Sequence, residues 1–173
     1  MNQCLVDNWN SVVGPEDTVY VLGDFSLSAR AVELITPRLL GHKKLVPGNH
    51  DHVHTYNKKA RTPEKYQKQV EFYRGWGWEV LPEQVELELP GVGVVQLCHM
   101  PYSGDSTEHP ADYTDKYARW RPQDTGGWLL HGHTHSPRII QGKQYHVGVD
   151  AHGYAPVSQE QIIQDILEVE NDK

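Results

Sequence analysis

Apolar side chains recur at helical spacing in some stretches of the chain and form short β-branched runs in others. The helical spacing, with caps and breakers at its ends, predicts four helices. They cover residues 3–13, a segment from Ser26 or Ser28 to about Thr36, residues 62–74, and a last amphipathic segment over 158–167. The β-branched and aromatic runs predict strands at 18–22, 44–46, 85–89, 94–98, 128–130, 138–140 and 145–149.

The order of these elements indicates the fold class. Strands alternate with helices early in the chain and pair as hairpins later, so we expect an α/β fold with a mixed sheet layered by helices. The length of 173 residues suits one domain spanning residues 1–173. Residues 100–126 lack periodicity and predict a long surface loop with one helical turn near Tyr117.

Composition and charge argue against several function classes. The formal net charge of −7 disfavours broad binding to nucleic acid or to anionic membranes. Two cysteines provide no disulfide framework, and no apolar run is long enough to span a membrane. We therefore expect a cytoplasmic protein with no membrane partner. A basic edge can still hold the phosphate of a nucleotide: Lys43, Lys44, Lys58, Lys59 and Arg61.

Four predicted strands end beside a polar residue that can bind a metal: Asp24, Asn49, His99 and His133. Ligands of open α/β sheets bind beyond the carboxyl ends of the strands, so these side chains are expected to converge. His135 lies two residues after His133 in extended chain, and its side chain should leave the same face. Imidazole with carboxylate and amide oxygens, without thiolate, suits zinc, iron, manganese and similar ions.

The same residues indicate a chemistry. Asp24 has two oxygens and can bridge a pair of ions, and two-metal sites promote displacement at phosphorus. His50 lies beside Asn49, and Asp51 follows it at a position from which a carboxylate can orient the imidazole. This is the arrangement that a general acid requires.

Each of these residues also has a structural interpretation when taken singly. Asp24 and Asn49 can be turn residues, and His99 can be a hydrogen-bonded structural histidine. Their joint occurrence at four strand ends favours a site. The remaining histidines are interpreted as structural or exposed: His42, His52, His54, His109, His131, His146 and His152. Of these, His52 and His54 are expected to lie in a solvated loop. Their use as replacement metal ligands is the less favoured alternative. The aromatic residues of 102–128 suit a substrate cleft and simple loop packing equally well: Tyr102, Tyr113, Tyr117, Trp120 and Trp128.

The ordered motifs resemble those of the calcineurin-like metallophosphoesterases, and the end of the chain resembles small bacterial or viral members. The matching motifs are Gly23-Asp24, Gly48-Asn49-His50-Asp51, His99 and Gly132-His133-Thr134-His135. The resemblance covers about residues 3–167. It implies a four-layered α/β/β/α sandwich with a mixed sheet.

The resemblance also implies roles for individual residues. Asp24 would bridge two metals, with Asn49, His99 and His133 completing the second site and His135 binding the first. His50 would protonate the leaving group with the support of Asp51. The implied reaction is hydrolysis of a phosphomonoester or phosphodiester by a metal-bound hydroxide. The implied cofactor is Mn²⁺, or Zn²⁺, Fe or Ni²⁺, and the substrate is a phosphorylated small molecule or nucleotide.

One family motif has no counterpart. No Asp-x-His precedes Gly23-Asp24, although in the family this motif supplies two ligands of the first metal. We therefore expect either a start inside a longer protein or a chain without its first metal site, holding one metal. The neighbouring strand edge would be unpaired, which favours association into homo-oligomers. The alternative function is a non-catalytic interaction module on the same fold.

Overall fold

The computed structural model describes residues 2–103 and 115–172, and this part of the chain forms a mixed α/β protein. Its α-helices are α1 (Asn2–Val12), α2 (Ala29–Ile35), α3 (Pro63–Gly75) and α4 (Gln159–Asn171). Its strands are β1 (Thr18–Val21), β2 (His42–Leu45), β3 (Trp78–Val80), β4 (Gln84–Leu89), β5 (Gly93–Cys98), β6 (Leu129–His131), β7 (Ile140–Gln141) and β8 (Gln144–His146). The predicted mixed α/β class is confirmed.

Three of the helices begin at side-chain caps that the sequence predicts. The hydroxyls of Ser28, Thr62 and Ser158 each accept a hydrogen bond from a backbone N–H in the first turn of α2, α3 and α4. Such caps satisfy amide donors that a helix start leaves without partners. Of the two candidate caps for α2, Ser28 is the one used, and the Ser26 hydroxyl donates to the Ser28 carbonyl instead.

The first sheet is parallel and contains β1, β2 and β3 in that order. Leu45 at the end of β2 pairs with Val21 on one side and Val80 on the other. Side chains of α2, of α3 and of the segment after β2 pack with this sheet in one apolar cluster. The buried members are Val32, Leu45, Val53, Val70, Tyr73 and Trp78.

The second sheet is mixed and has the order β4-β5-β6-β8-β7. The hairpins β4–β5 and β7–β8 are antiparallel, as expected, and parallel pairing joins β5 to β6 and β6 to β8. Helix α4 packs with this sheet through Ile162 and Ile166. The Tyr145 hydroxyl of β8 also donates to Asp165 of α4 at 2.7 Å.

The two sheets meet near the carboxyl ends of their strands. Leu22 and Val46, which follow β1 and β2, are buried in one cluster with Val95 and Leu97 of β5. The Leu22 carbonyl also accepts a hydrogen bond from His99 Nδ1 at 2.8 Å, directly after β5. This junction places strand ends of both sheets beside each other.

Within the described residues, β1 pairs with β2 alone, so its other edge carries no neighbouring strand. Association through this edge stays a prediction. The helical turn expected near Tyr117 is present as a 3₁₀ turn at Ala118–Trp120, whereas 104–114, with His109 and Tyr113, lie outside the described residues. Among the helices in the described ranges, none has the length and apolar character needed to cross a membrane.

Candidate metal centre

Asp24, Asn49, His99 and His133 lie together at the junction of the sheets. Asp24 and Asn49 follow β1 and β2 of the first sheet, and His99 and His133 follow β5 and β6 of the second. The nitrogen His99 Nε2 lies 3.1 Å from His133 Nδ1, 3.2 Å from Asn49 Oδ1 and 3.3 Å from Asp24 Oδ2. Four strand ends therefore converge, as the sequence predicts.

The hydrogen bond of His99 defines what its other ring nitrogen offers. A carbonyl oxygen only accepts, so Nδ1 donates its proton to Leu22 and, in the neutral ring, Nε2 carries a lone pair. That lone pair faces atoms of Asp24 and Asn49 that are also acceptors. Acceptors that face one another are stabilised by a proton or a metal cation between them.

The spacing of the four atoms fits a bound cation. Ligand atoms about 2.1 Å from one ion stand roughly 3.0–3.4 Å apart, in the range measured here around His99 Nε2. The donor atoms of Asp24, His99 and His133 all lie within 4.8 Å of one another. Two imidazoles with a carboxylate and an amide oxygen suit a divalent transition metal. The residues present therefore fit the metal that the sequence predicts.

The electrostatics of the centre also favour positive charge. Burial opposes charge on the His99 imidazole, but its hydrogen bond with Asp24 and the attraction of that carboxylate raise its pKa. Burial likewise opposes the Asp24 carboxylate, but its contacts with His99 and with the His50 amide hold its pKa below the ordinary value.

Asn49 is oriented by a tyrosine from the segment after β5. Its side-chain amide Nδ2 donates to the Tyr117 hydroxyl at 3.3 Å, which leaves Oδ1 directed at His99. The Tyr117 ring also stands edge-on to His133 at 5.2 Å. Sequence reasoning did not single out this role, because a tyrosine in an aperiodic segment carries no signal beyond its aromatic character.

The backbone is in a sparsely populated conformation at three candidate ligands. Asp24, His133 and His135 have φ values of 53°, 68° and 49°, in the left-handed region that side chains other than glycine rarely adopt. Such strain is typical of functional sites, where the surrounding structure enforces it.

Asp51 is fully buried and holds the two turns of the first sheet together. One carboxylate oxygen accepts from the backbone N–H groups of Asp24 and Gly48 at 2.8 and 2.9 Å. The other accepts from the Ser26 N–H and from the Tyr73 hydroxyl. Burial raises the pKa of Asp51 to about 6, although the amide donors oppose this rise. The structure thus gives this carboxylate partners other than the His50 ring that sequence reasoning assigned to it.

His50 is exposed beside the cluster. Its backbone N–H donates to Asp24 Oδ1 at 2.9 Å, which fixes the residue next to a candidate ligand. The imidazole makes no hydrogen bond to the described residues and is accessible from solvent.

His135 does not join the cluster. Its side chain is 79% exposed, and Nδ1 lies 2.7 Å from Asp150 Oδ2. The expectation that Asp24 and His135 share a first metal stays a prediction. Extended chain would have placed His133 and His135 on one face, but left-handed backbone at both residues breaks that alternation.

Among the described residues, three histidines other than His99 are buried: His54, His131 and His146. His131 packs against His146 with ring centroids 5.4 Å apart, and burial lowers its pKa to about 4. It stays outside the ligand cluster, in agreement with its structural interpretation. His54 is buried as well, which corrects the expectation of a solvated loop.

Sequence comparison identifies relatives along most of the chain. The Gene 66 protein of Mycobacterium phage L5 is 38% identical over 165 residues, covering 86% of this chain and 73% of the phage protein. The Gene 66 protein of Mycobacterium phage D29 is 35% identical over 175 residues, covering 95% of this chain and 83% of the phage protein. No protein-family model matches the chain.

More distant proteins show the same breadth of coverage. The uncharacterized protein MJ1445 of Methanocaldococcus jannaschii is 28% identical over 173 residues, covering 94% of this chain and 73% of that protein. The crystal structure of the protein of unknown function AQ665 from Aquifex aeolicus matches with a TM-score of 0.60 and 21% identity. It covers 94% of this chain and 83% of that chain, and at this identity the likeness shows the fold alone.

Proposed function

We propose that this chain, which belongs to the same family as the Gene 66 proteins of Mycobacterium phages L5 and D29, is a metal-dependent phosphoesterase. The observation that carries the proposal is the meeting of Asp24, Asn49 and His133 around His99 Nε2. The order of the motifs, which resembles that of the calcineurin-like metallophosphoesterases, supports the same conclusion.

The arrangement of the elements agrees with the α/β/β/α sandwich of that family. Helices α2 and α3 pack with the first sheet, and α4 packs with the second. The two sheets are then the inner layers, and the centre lies where their strand ends meet.

Asp24, Asn49, His99 and His133 are the residues that would hold the metal, for which Mn²⁺ is our first candidate and Zn²⁺, Fe or Ni²⁺ the others. When bound, such an ion lowers the pKa of a water molecule and neutralises charge on phosphoryl oxygens. Tyr117 keeps the Asn49 oxygen directed into the centre. Asp51 fixes the backbone of the turns that carry Asp24 and Asn49.

His50 supplies the proton for the leaving group. Its backbone amide is hydrogen-bonded to Asp24, which holds the residue beside the centre while its imidazole remains exposed. Asp51 supports His50 through the shared turn, because its carboxylate is bonded to backbone groups. The substrate is a phosphomonoester or phosphodiester of a small molecule or nucleotide.

The ligand assignment is tested by metal content. We expect His99→Ala and His133→Ala to lose the bound metal in elemental analysis after loading with Mn²⁺, because each removes one of four donors. His131→Ala is the matched control, since His131 is also buried and lies two residues from His133 but points its Nδ1 at the Gly132 carbonyl. Equal metal loss in all three variants would contradict the assignment.

The role of His50 is tested by the dependence on the leaving group. His50→Ala should retain its metal but lose hydrolysis of glycerol 2-phosphate by a factor on the order of 10²–10⁴, the usual contribution of a general acid. Hydrolysis of p-nitrophenyl phosphate should fall much less, because p-nitrophenolate leaves without being protonated. His42→Ala, which removes an exposed histidine from β2, serves as the control. If no ester is hydrolysed by the metal-loaded wild type, the non-catalytic module is the better explanation.

A further inference from the structure

A pocket with basic residues in its wall lies directly beside the candidate centre. It has a volume of about 430 Å³ and shares Asn49 and His50 with the site. Its wall also includes His52, Lys58, Lys59 and Arg61, and no aspartate or glutamate of the described residues lines it. A pocket of this size suits a small organic ligand. Its charge is opposite in sign to the net charge of −7 of the whole chain.

The wall of this pocket is a chain of successive turns. The backbone N–H groups of Asp51, His54, Asn57 and Ala60 each donate to the carbonyl three residues earlier, at 2.9 to 3.1 Å. Because this pattern repeats every three residues, Asp51, His54 and Ala60 face the interior of the protein, where they are buried. Lys58, Lys59 and Arg61 remain exposed on the same segment. The three cations therefore lie on an ordered segment, residues 48–61, which we call the ribbon.

The ribbon is anchored to the body of the protein at Thr55. Its hydroxyl accepts from Trp120 Nε1 at 2.8 Å, and its backbone N–H donates to Glu83 at 2.7 Å. These bonds fix the backbone of the segment that carries the cations. The basic wall is thus a preformed part of the site.

The cations of this wall have no carboxylate partner among the described residues. The Lys59 ammonium lies 3.3 Å from His52 Nε2, and the Arg61 guanidinium donates to the Tyr56 carbonyl at 3.3 Å. Three positive charges that face a pocket without a compensating acid attract an anion. Guanidinium and ammonium groups together are the usual partners of phosphate.

We propose that this pocket binds a second phosphate group, carried by the leaving group of the substrate. The substrate class is then a phosphate ester of a molecule that bears another phosphate, such as a nucleoside bisphosphate. This assignment rests on the proposed function, because His50 marks the leaving-group side of the centre. The distribution of charges along the sequence alone does not distinguish these three cations from Lys43 and Lys44, which lie on β2 away from the pocket.

The test measures binding separately from hydrolysis. Adenosine 3′,5′-bisphosphate is titrated calorimetrically into chelator-treated protein, with adenosine as the uncharged reference. We expect wild type to bind the bisphosphate and not to bind adenosine. Binding of the bisphosphate should be weaker at high salt. The variant Lys58→Gln/Lys59→Gln/Arg61→Gln should bind at least roughly tenfold more weakly, because it loses three charge contacts.

A matched variant controls for net charge. Lys65→Gln/Lys68→Gln/Arg74→Gln removes two lysines and one arginine from the exposed surface of α3 and should leave binding unchanged within about twofold. Absence of bisphosphate binding by wild type, or equal losses in the two variants, would overturn the proposal. Hydrolysis is then compared for adenosine 3′,5′-bisphosphate and adenosine 3′-monophosphate. Normal hydrolysis without preference for the bisphosphate overturns the pocket alone, whereas charge-specific binding without any hydrolysis overturns the phosphoesterase and leaves the pocket.

Discussion

The imidazole of His54 is held in its neutral form by its surroundings. Only 1% of the residue is exposed, and its Nδ1 accepts a hydrogen bond from the Tyr56 backbone N–H at 3.0 Å. The Trp120 ring lies beside it, with centroids 5.8 Å apart. Burial lowers the pKa of His54, although the nearby Glu83 carboxylate opposes that shift. A proton on Nδ1 would have to displace the amide donor.

This environment predicts a pH-dependent stability. The pKa of His54 is lower in the folded protein than in the unfolded chain. The contribution of the neutral imidazole to the unfolding free energy is therefore complete above the ordinary histidine pKa of about 6.5 and is lost as the pH falls below it. Chemical unfolding of wild type and His54→Gln at pH 7 and pH 5 measures this effect. We expect the variant to show a smaller loss of unfolding free energy, by up to about 1.4 kcal/mol per pH unit for one proton. An unchanged slope would contradict the neutral assignment.

At the residue scale, sequence reasoning identified the side chains that converge more readily than the contacts that support them. The spacing of Gly48-Asn49-His50-Asp51 places three polar side chains next to each other but leaves open where each one points. In the folded protein, the Asp51 carboxylate accepts hydrogen bonds from backbone amides of two turns. These bonds depend on the tertiary approach of the two turns. The pairing of His135 with Asp150 depends in the same way on backbone angles that residue types do not reveal.

Among the elements, the turns that follow β1 and β2 are packed against each other through glycines. A Cβ atom on Gly48 would lie 2.4 Å from both the backbone nitrogen and Oδ1 of Asp24. A Cβ atom on Gly23 would lie 2.5 Å from Gly48 Cα and from His99 Nδ1. These glycines therefore allow the strand ends to approach closely enough for the ligand side chains to meet.

Gly48→Ala should consequently damage the centre. The added methyl group must displace Asp24, and we expect weaker Mn²⁺ binding together with a loss of about 1–3 kcal/mol in unfolding free energy, as for other overpacked positions. Gly75→Ala is the control, because nothing lies within 4 Å of a Cβ at that helical position. Metal titration and chemical denaturation of both variants measure the difference. Retained affinity in Gly48→Ala would show that the turns can separate without affecting the centre.

Strands and helices were predicted well where the pattern is local. Seven of the eight strands in the described residues coincide with predicted runs, whereas β3 was missed, because Trp78-Glu79-Val80 is a three-residue strand stabilised by pairing with β2. The segment after Asn49 was missed as an ordered element for another reason. Its turns repeat every three residues, and neither the helical period nor the strand period detects them.

For the whole molecule, the strand pattern predicts that strand ends converge, and the family resemblance implies two β layers, but neither reveals which sheet supplies which side chain. Asp24 and Asn49 come from the parallel sheet and His99 and His133 from the mixed one. The contact between them depends on the packing of Leu22 and Val46 against β5, which is a long-range contact. One sheet contributes the carboxylate and the amide, and the other contributes both imidazoles.

The number of donors in this cluster predicts the number of metal ions that the protein binds. The cluster offers four donors for one ion, whereas His135 is directed to Asp150, so we expect the 173-residue chain to hold one ion tightly. Binding to the folded state alone raises the unfolding free energy by about 2.7 kcal/mol when free metal is 100 times the dissociation constant. Elemental analysis after dialysis gives the stoichiometry, and thermal unfolding with Mn²⁺ or with chelator gives the stabilisation.

A variant that frees His135 sharpens this measurement. Asp150→Ala removes the carboxylate that holds the His135 imidazole, and the stoichiometry should remain one, because Asp24 and His135 together supply only two protein ligands. His99→Ala should abolish the stabilisation by Mn²⁺, since it removes the nitrogen around which the other three donors are arranged. Two tightly bound ions in the wild-type chain would contradict the prediction and would show that His135 exchanges Asp150 for a metal.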